Sequence, residues 1–142
     1  MLWYNRSMAN TENQSGQSLT AAILDKTLQE LEGNDWGEPT FSSHLVTECH
    51  RLRRVPLRDF TIEDLRIMIG QNISLDYLVP LALDQLEANP LAEGDFYEGD
   101  FYEGDLLWYV NRIPAEFWNT HPGLYLRWQG IVESVGGPFN DV

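Results

Sequence analysis

Apolar residues recur at helical spacing along most of the chain. The clearest run is Leu75, Leu78, Val79, Ala82, Leu83 and Leu86, at i, i+3, i+4, i+7, i+8 and i+11. This stripe predicts a core-facing helix with Ser74 as its N-cap. Pro80 lies inside the pattern. It should either kink the helix or begin a second segment, because an interior proline loses a hydrogen bond and costs about 3 kcal/mol. Upstream, Ala21, Leu24, Leu28 and Leu31 share one face of a helix predicted from Ser18, with Gly33 at its left-handed cap. Leu45, Cys49 and Leu52 form the inward stripe of a helix from about Ser43 to Arg54, which Pro56 ends. Thr61-Ile62-Glu63-Asp64 reads as an N-cap with acidic first-turn residues. The helix it starts carries Ile62, Leu65, Met68 and Ile69 inward, and Gly70 closes it.

Asn89-Pro90 is a turn signal. Asp105 can cap a helix to about Arg112, with Leu106, Leu107 and Val110 inward. Pro114 starts a short helix over Ala115–Trp118, and His121-Pro122-Gly123 breaks it, leaving His121 exposed. Leu124, Trp128, Ile131 and Val135 make a last helix, stopped by Gly136-Gly137-Pro138. No stretch alternates apolar and polar residues between hairpin turns. The prediction is an all-α fold: a compact single domain over 18–142, of six or seven short helices. Residues 1–17 are polar and predict a disordered N-terminal arm. Long connections fall around 33–41 and 90–104.

Charge changes this picture more than composition does. The 142 residues are ordinarily apolar, but nine Lys and Arg against 22 Asp and Glu give a net charge of −13. A surface this acidic repels phosphate and anionic lipid, so nucleic acid and membrane are excluded as partners and a basic protein is favoured. The charge is also uneven. Residues 67–111 hold nine acids and no Lys or Arg: Asp76, Asp84, Glu87, Glu93, Asp95, Glu98, Asp100, Glu103 and Asp105. A basic cluster at Arg51, Arg53, Arg54, Arg58 and Arg66 precedes them. It should pair with nearby carboxylates such as Asp59, Glu63 and Asp64, or with the acidic stretch. A solvated face explains such a run as simply as a docking surface does.

Within the acidic stretch the unit Asp-Phe-Tyr-Glu-Gly occurs twice in tandem, at 95–99 and 100–104. A period of five fits neither helix nor strand, so a loop is predicted, with carboxylates and aromatic rings interleaved. The spacing misses the calcium-loop pattern, and no metal or other cofactor is expected. A pair of carboxylates for hydrolysis would need a walled cleft. Protein binding suits the composition better, since Tyr supplies rigid contact area and carboxylates meet Lys and Arg. The candidate partner-binding residues are Glu93, Asp95, Tyr97, Glu98, Asp100, Tyr102, Glu103, Asp105 and Trp108. Phe96 or Phe101 can equally well plug the core beneath the loop. Cys49, the one cysteine, reads as a small buried apolar residue. With no disulfide to form and no apolar leader segment, a cytoplasmic location is expected.

Several runs carry a resemblance. One is Arg51-Leu52-Arg53-Arg54-Val55-Pro56-Leu57, continuing through Thr61-Ile62-Glu63-Asp64-Leu65-Arg66 to Ile69-Gly70-Gln71. Others are Leu78-Val79-Pro80-Leu81-Ala82-Leu83 and the Gly94-Asp95-Phe96-Tyr97 … Gly104-Asp105-Leu106-Leu107 stretch. Over about residues 30–120 this order resembles immunity proteins of bacterial contact-dependent growth inhibition systems, the CdiI type. The resemblance implies a small protein without catalysis of its own. It would bind and neutralise the C-terminal toxin domain of a cognate CdiA-type effector, protecting sibling cells. Such a toxin is expected to be basic, as a nuclease would be, and occlusion of its active site is the expected mechanism. The chain departs from the pattern by one extra Asp-Phe-Tyr-Glu-Gly unit, which a loop accepts at about 0.6 kcal/mol per doubling of length. The rival readings are an acidic nucleic-acid mimic or another protein-binding regulator, and, more remotely, a small hydrolase.

Overall fold

The structure is a computed structural model that describes residues 17–40, 43–92 and 105–136. Among these it forms eight α-helices: α1 (Ala21–Leu24), α2 (Leu28–Glu32), α3 (His44–Leu52), α4 (Ile62–Gly70), α5 (Leu75–Ala88), α6 (Asp105–Asn111), α7 (Ala115–Asn119) and α8 (Pro122–Ser134). A 3₁₀ turn spans Leu57–Asp59. The architecture is all-α, as the apolar periodicity predicts. No helix of the described residues is long and apolar enough to cross a membrane.

The centre is α5, which packs against α4, α6 and α8. Its first half is buried on all sides at Tyr77, Leu78, Val79 and Pro80, and Ala82, Leu83 and Leu86 continue the core. A helix apolar all round has to be enclosed. The helix runs as one element across Pro80, so the second-segment alternative falls away. Pro80 itself is buried within the helix.

Two short helices replace the single one predicted from Ser18. Thr27 breaks the run: its hydroxyl accepts from the Glu30 backbone at 3.1 Å, and its own N–H donates to the Glu30 carboxylate at 2.9 Å. This capping box starts α2 afresh. The break also frees backbone groups for tertiary contacts. Gln29 N–H donates to the Arg53 carbonyl, and the Lys26 carbonyl accepts from Leu57 N–H, both at 3.0 Å. Most of the predicted stripe still points inward, with Leu28 fully buried and Leu24 and Leu31 packed against the core, but Ala21 is exposed.

Arg53 is the main buried charge, with 2% of its surface exposed. Its guanidinium donates to Glu32 at 2.5 Å and to the Asn34 carbonyl at 2.9 Å, with Ser74 Oγ at 3.4 Å. It also lies 4.5 Å from the Trp36 ring centre. One residue thus joins the end of α2, the 33–40 connection and the start of α5. Ser74 therefore departs from its predicted role. It sits in the left-handed region at φ 53° and makes no side-chain cap; its hydroxyl serves Arg53 instead. His50 secures the same connection from α3, its Nδ1 3.0 Å from the Gly37 carbonyl and its ring edge-on to Trp36.

The other arginines find partners partly as predicted. Arg66 holds Glu63, and Arg51 lies 3.8 Å from Asp64. The rest reach upstream or along their own helix rather than to Asp59: Arg51 to Glu48, Arg54 to Asp35 and Glu38, Arg58 to Asp25. Cys49 is buried as expected, and burial pushes its thiol up, away from reactivity. Leu45 is not inward: it is 41% exposed, because α3 meets the core only through its second half, at Cys49 and Leu52.

His121 is likewise not exposed but 7% accessible, at the joint between α7 and α8. Its Nδ1 lies 2.8 Å from the Phe117 carbonyl and its Nε2 2.9 Å from Asp76 on α5. Only the imidazolium can donate from both nitrogens. Burial opposes that charge, but the Asp76 carboxylate and the Phe117 carbonyl outweigh it and hold the group above its ordinary value of 6.5. A raised folded-state value stabilises the fold below the unfolded value, and that stability is lost as pH rises through the folded one. The unfolding midpoint of the protein should therefore fall between about pH 6 and about pH 9 by an amount that His121→Gln lacks, read by thermal melts at matched ionic strength. Arg53→Ala should lower stability by about 3 kcal/mol, since it strands a partly buried carboxylate. Arg54→Ala, whose ion pairs are exposed, should change it by about 0.5 kcal/mol or less, both read from urea midpoints at constant slope.

Candidate functional site

The acidic stretch does not act as one face. Arg127 on α8 donates to Asp84 at 2.8 Å and to Glu87 at 2.7 Å, and Asp76 faces His121. Three of the nine acids are therefore absorbed in clamping α5 to the last two helices. The six at positions 93–105 are left as the concentrated charge. Glu93, Asp95, Tyr97, Glu98, Asp100, Tyr102 and Glu103 lie outside the described residues, as do Phe96 and Phe101. What the structure gives is where that segment departs and returns. Leu106 N–H donates to the Ala92 carbonyl at 3.4 Å, and both residues are buried. The described residues on either side of the segment are thus joined to each other at the core.

Asp105 opens α6. Leu106, Leu107 and Val110 bury one side of this helix, as their spacing predicts. Positions 108 and 112 then face outward, within about two turns of Asp105, while Tyr109 is half-buried. Trp108 is 42% exposed. The Arg112 guanidinium lies 4.8 Å from its ring centre, and Tyr109 packs edge-on at 4.9 Å. The Tyr109 ring lies against α4 at Gly70, where a Cβ would stand 3.1 Å from two ring carbons. Gly70 is the last residue of α4, as its sequence position predicts, and it is also where the ring approaches the helix closely. Arg66, held by Glu63 through contacts of 2.9 and 2.5 Å, lies over the other part of the Tyr109 ring.

Of the candidates, the structure therefore describes Asp105 as the start of α6 and Trp108 on its outer face. It adds Tyr109 and Arg112, which sequence reasoning passed over, and sets the expected Glu63–Arg66 pair beside them. The signal for the first two was present: they complete the i, i+3, i+4, i+7 pattern that begins at Asp105, opposite the apolar stripe. Gly70 and Arg66 carry no such signal, since they lie some forty residues away in sequence. If α6 is anchored by its inner face and displays its outer one, Leu106→Ala should cost about 3 kcal/mol. Trp108→Ala should cost about 1 kcal/mol or less, with both values taken from denaturant unfolding.

Residues 30–127 match the family model of CDI immunity proteins. Neither the curated proteins nor the solved structures searched contain a match. The matched span runs from within α2 into α8 and takes in Arg53, the acidic segment and the outer face of α6. A cognate CDI toxin is the partner that this family implies. The resemblance carried by the Arg51–Gln71 and Gly94–Leu107 runs thus meets an independent match over most of the chain, which belongs to the family of CDI immunity proteins.

Proposed function

We propose that this protein binds the C-terminal toxin domain of its cognate effector in the cytoplasm and neutralises it by covering the toxin's substrate cleft. It performs no reaction of its own. The acidic segment from Glu93 to Asp105, with Trp108 beside it, makes the contact. The observation that carries this reading is the distribution of charge. The arginines of α3 and α4 and the acids of α5 are engaged in pairs that hold the fold, whereas six carboxylates between 93 and 105 have no Lys or Arg among them.

A toxin that acts on nucleic acid presents a basic cleft. A dense acidic loop is drawn to such a cleft, and single-sign steering raises association to about 10⁸–10⁹ M⁻¹s⁻¹ at low salt. Speed matters because a delivered toxin has to be captured before it turns over. Trp108 adds what charge cannot, a large rigid surface that resists dissociation.

The test is to replace Asp95, Glu98, Asp100 and Glu103 together by Lys and to measure binding of the toxin domain against salt. The association rate at low salt should fall about tenfold or more and its salt dependence should flatten. Protection of cells expressing the toxin should weaken in parallel. An unchanged rate with an unchanged salt slope would overturn the reading.

A further inference from the structure

A cleft of about 260 Å³ opens between α3, α4 and α6. It is lined by Leu45, Ile67, Gly70 and Tyr109 together with the polar His44, Glu63, Arg66 and Gln71. We propose that this cleft receives an uncharged apolar side chain of the toxin domain, the anchor of the complex, carried on the basic surface that the acidic segment attracts. The proposal rests on the reading above, that the toxin docks on this side of the molecule.

Size narrows the occupant. Small-molecule and cofactor sites run from about 300 to 1,000 Å³. A smaller open cleft suits one large side chain. Charge narrows it further. Glu63 and Arg66 hold each other through two contacts, and Arg66 also spreads over the Tyr109 ring. A charged occupant would have to compete with that pair, while an apolar one meets Leu45, Ile67 and the ring. Leu45 itself is out of place by pattern. It lies at helical spacing from the buried Cys49 and Leu52, yet it is 41% exposed at the mouth of the cleft. The absence of a Cβ at Gly70 sets the Tyr109 wall where it is.

Position ties the cleft to the charge. Tyr109 stands one helical turn after Asp105, where the acidic segment ends. A basic partner steered to that segment arrives with this cleft alongside. Apolar anchors seated in pockets with a polar surround are where binding energy concentrates at interfaces.

Leu45→Trp fills the mouth without altering charge, at a residue the core does not enclose. Binding of the toxin domain encoded with this protein should weaken about tenfold or more. The loss should lie in faster dissociation, with the salt dependence unchanged. Wild-type affinity for this variant would overturn the proposal and leave the acidic docking reading intact. Should the variant fail to fold, the wild-type protein decides the matter by NMR titration with the same domain. Shifts of the Leu45 and Ile67 methyl and Gly70 amide signals support the cleft. Static signals there, with signals of residues 93–105 moving, overturn it. A wild-type protein that does not bind the domain at all overturns both readings.

Discussion

The buried guanidinium of Arg53 is the contact on which the arrangement of the first half depends. A charge that is 2% exposed persists only where partners replace the water it has lost. Glu32, the Asn34 carbonyl, Ser74 and the Trp36 ring supply them, and they come from three parts of the chain. Its Nε finds no acceptor among the described residues, so the site is not fully satisfied. The geometry of the other contacts must therefore be held closely. Ser74 adopts a left-handed conformation that a non-glycine residue ordinarily avoids, in the turn that sets the start of α5.

From α5 the same logic extends to the other end of the molecule. Its apolar body makes the core, and its acids reach outward at Asp76, Asp84 and Glu87 to His121 and Arg127. Charge in this protein thus divides into two populations. One is paired within the fold, in which nearly every described arginine is matched by a carboxylate. The other is concentrated in the segment that departs from Ala92 and returns at Leu106. A strongly negative chain can fold because the first population is neutralised locally.

Much of the helical layout was legible in the one-dimensional pattern. The stripes of α4, α5, α6 and α8 are inward as their spacing predicts, and Thr61 and Gly33 cap as their residue types suggest. The failures share a cause. Leu24 to Leu31 keep one apolar face across a break, because periodicity registers which side is buried and not whether the backbone is continuous; the Thr27–Glu30 capping box was the better signal. His121 looked exposed because a turn sequence says nothing of an Asp forty-five residues earlier. Leu45 looked buried because helical phase cannot tell which end of a helix meets the core. At the site, Trp108 was legible as an outward aromatic, but the cleft was not, since its walls come from α3, α4 and α6.

The sequence by itself determined the all-α class, the core stripes, the family and the existence of a dense acidic repeat. These rest on local spacing, residue type and extended residue order, all of which are properties of the linear chain. Only the tertiary structure decided which charges are structural and which side of the protein carries the cleft. Coulombic pairing and burial depend on distances between residues remote in sequence. Arg127 pairs with two acids of α5, and Gly70 admits Tyr109, only because the fold places those helices side by side.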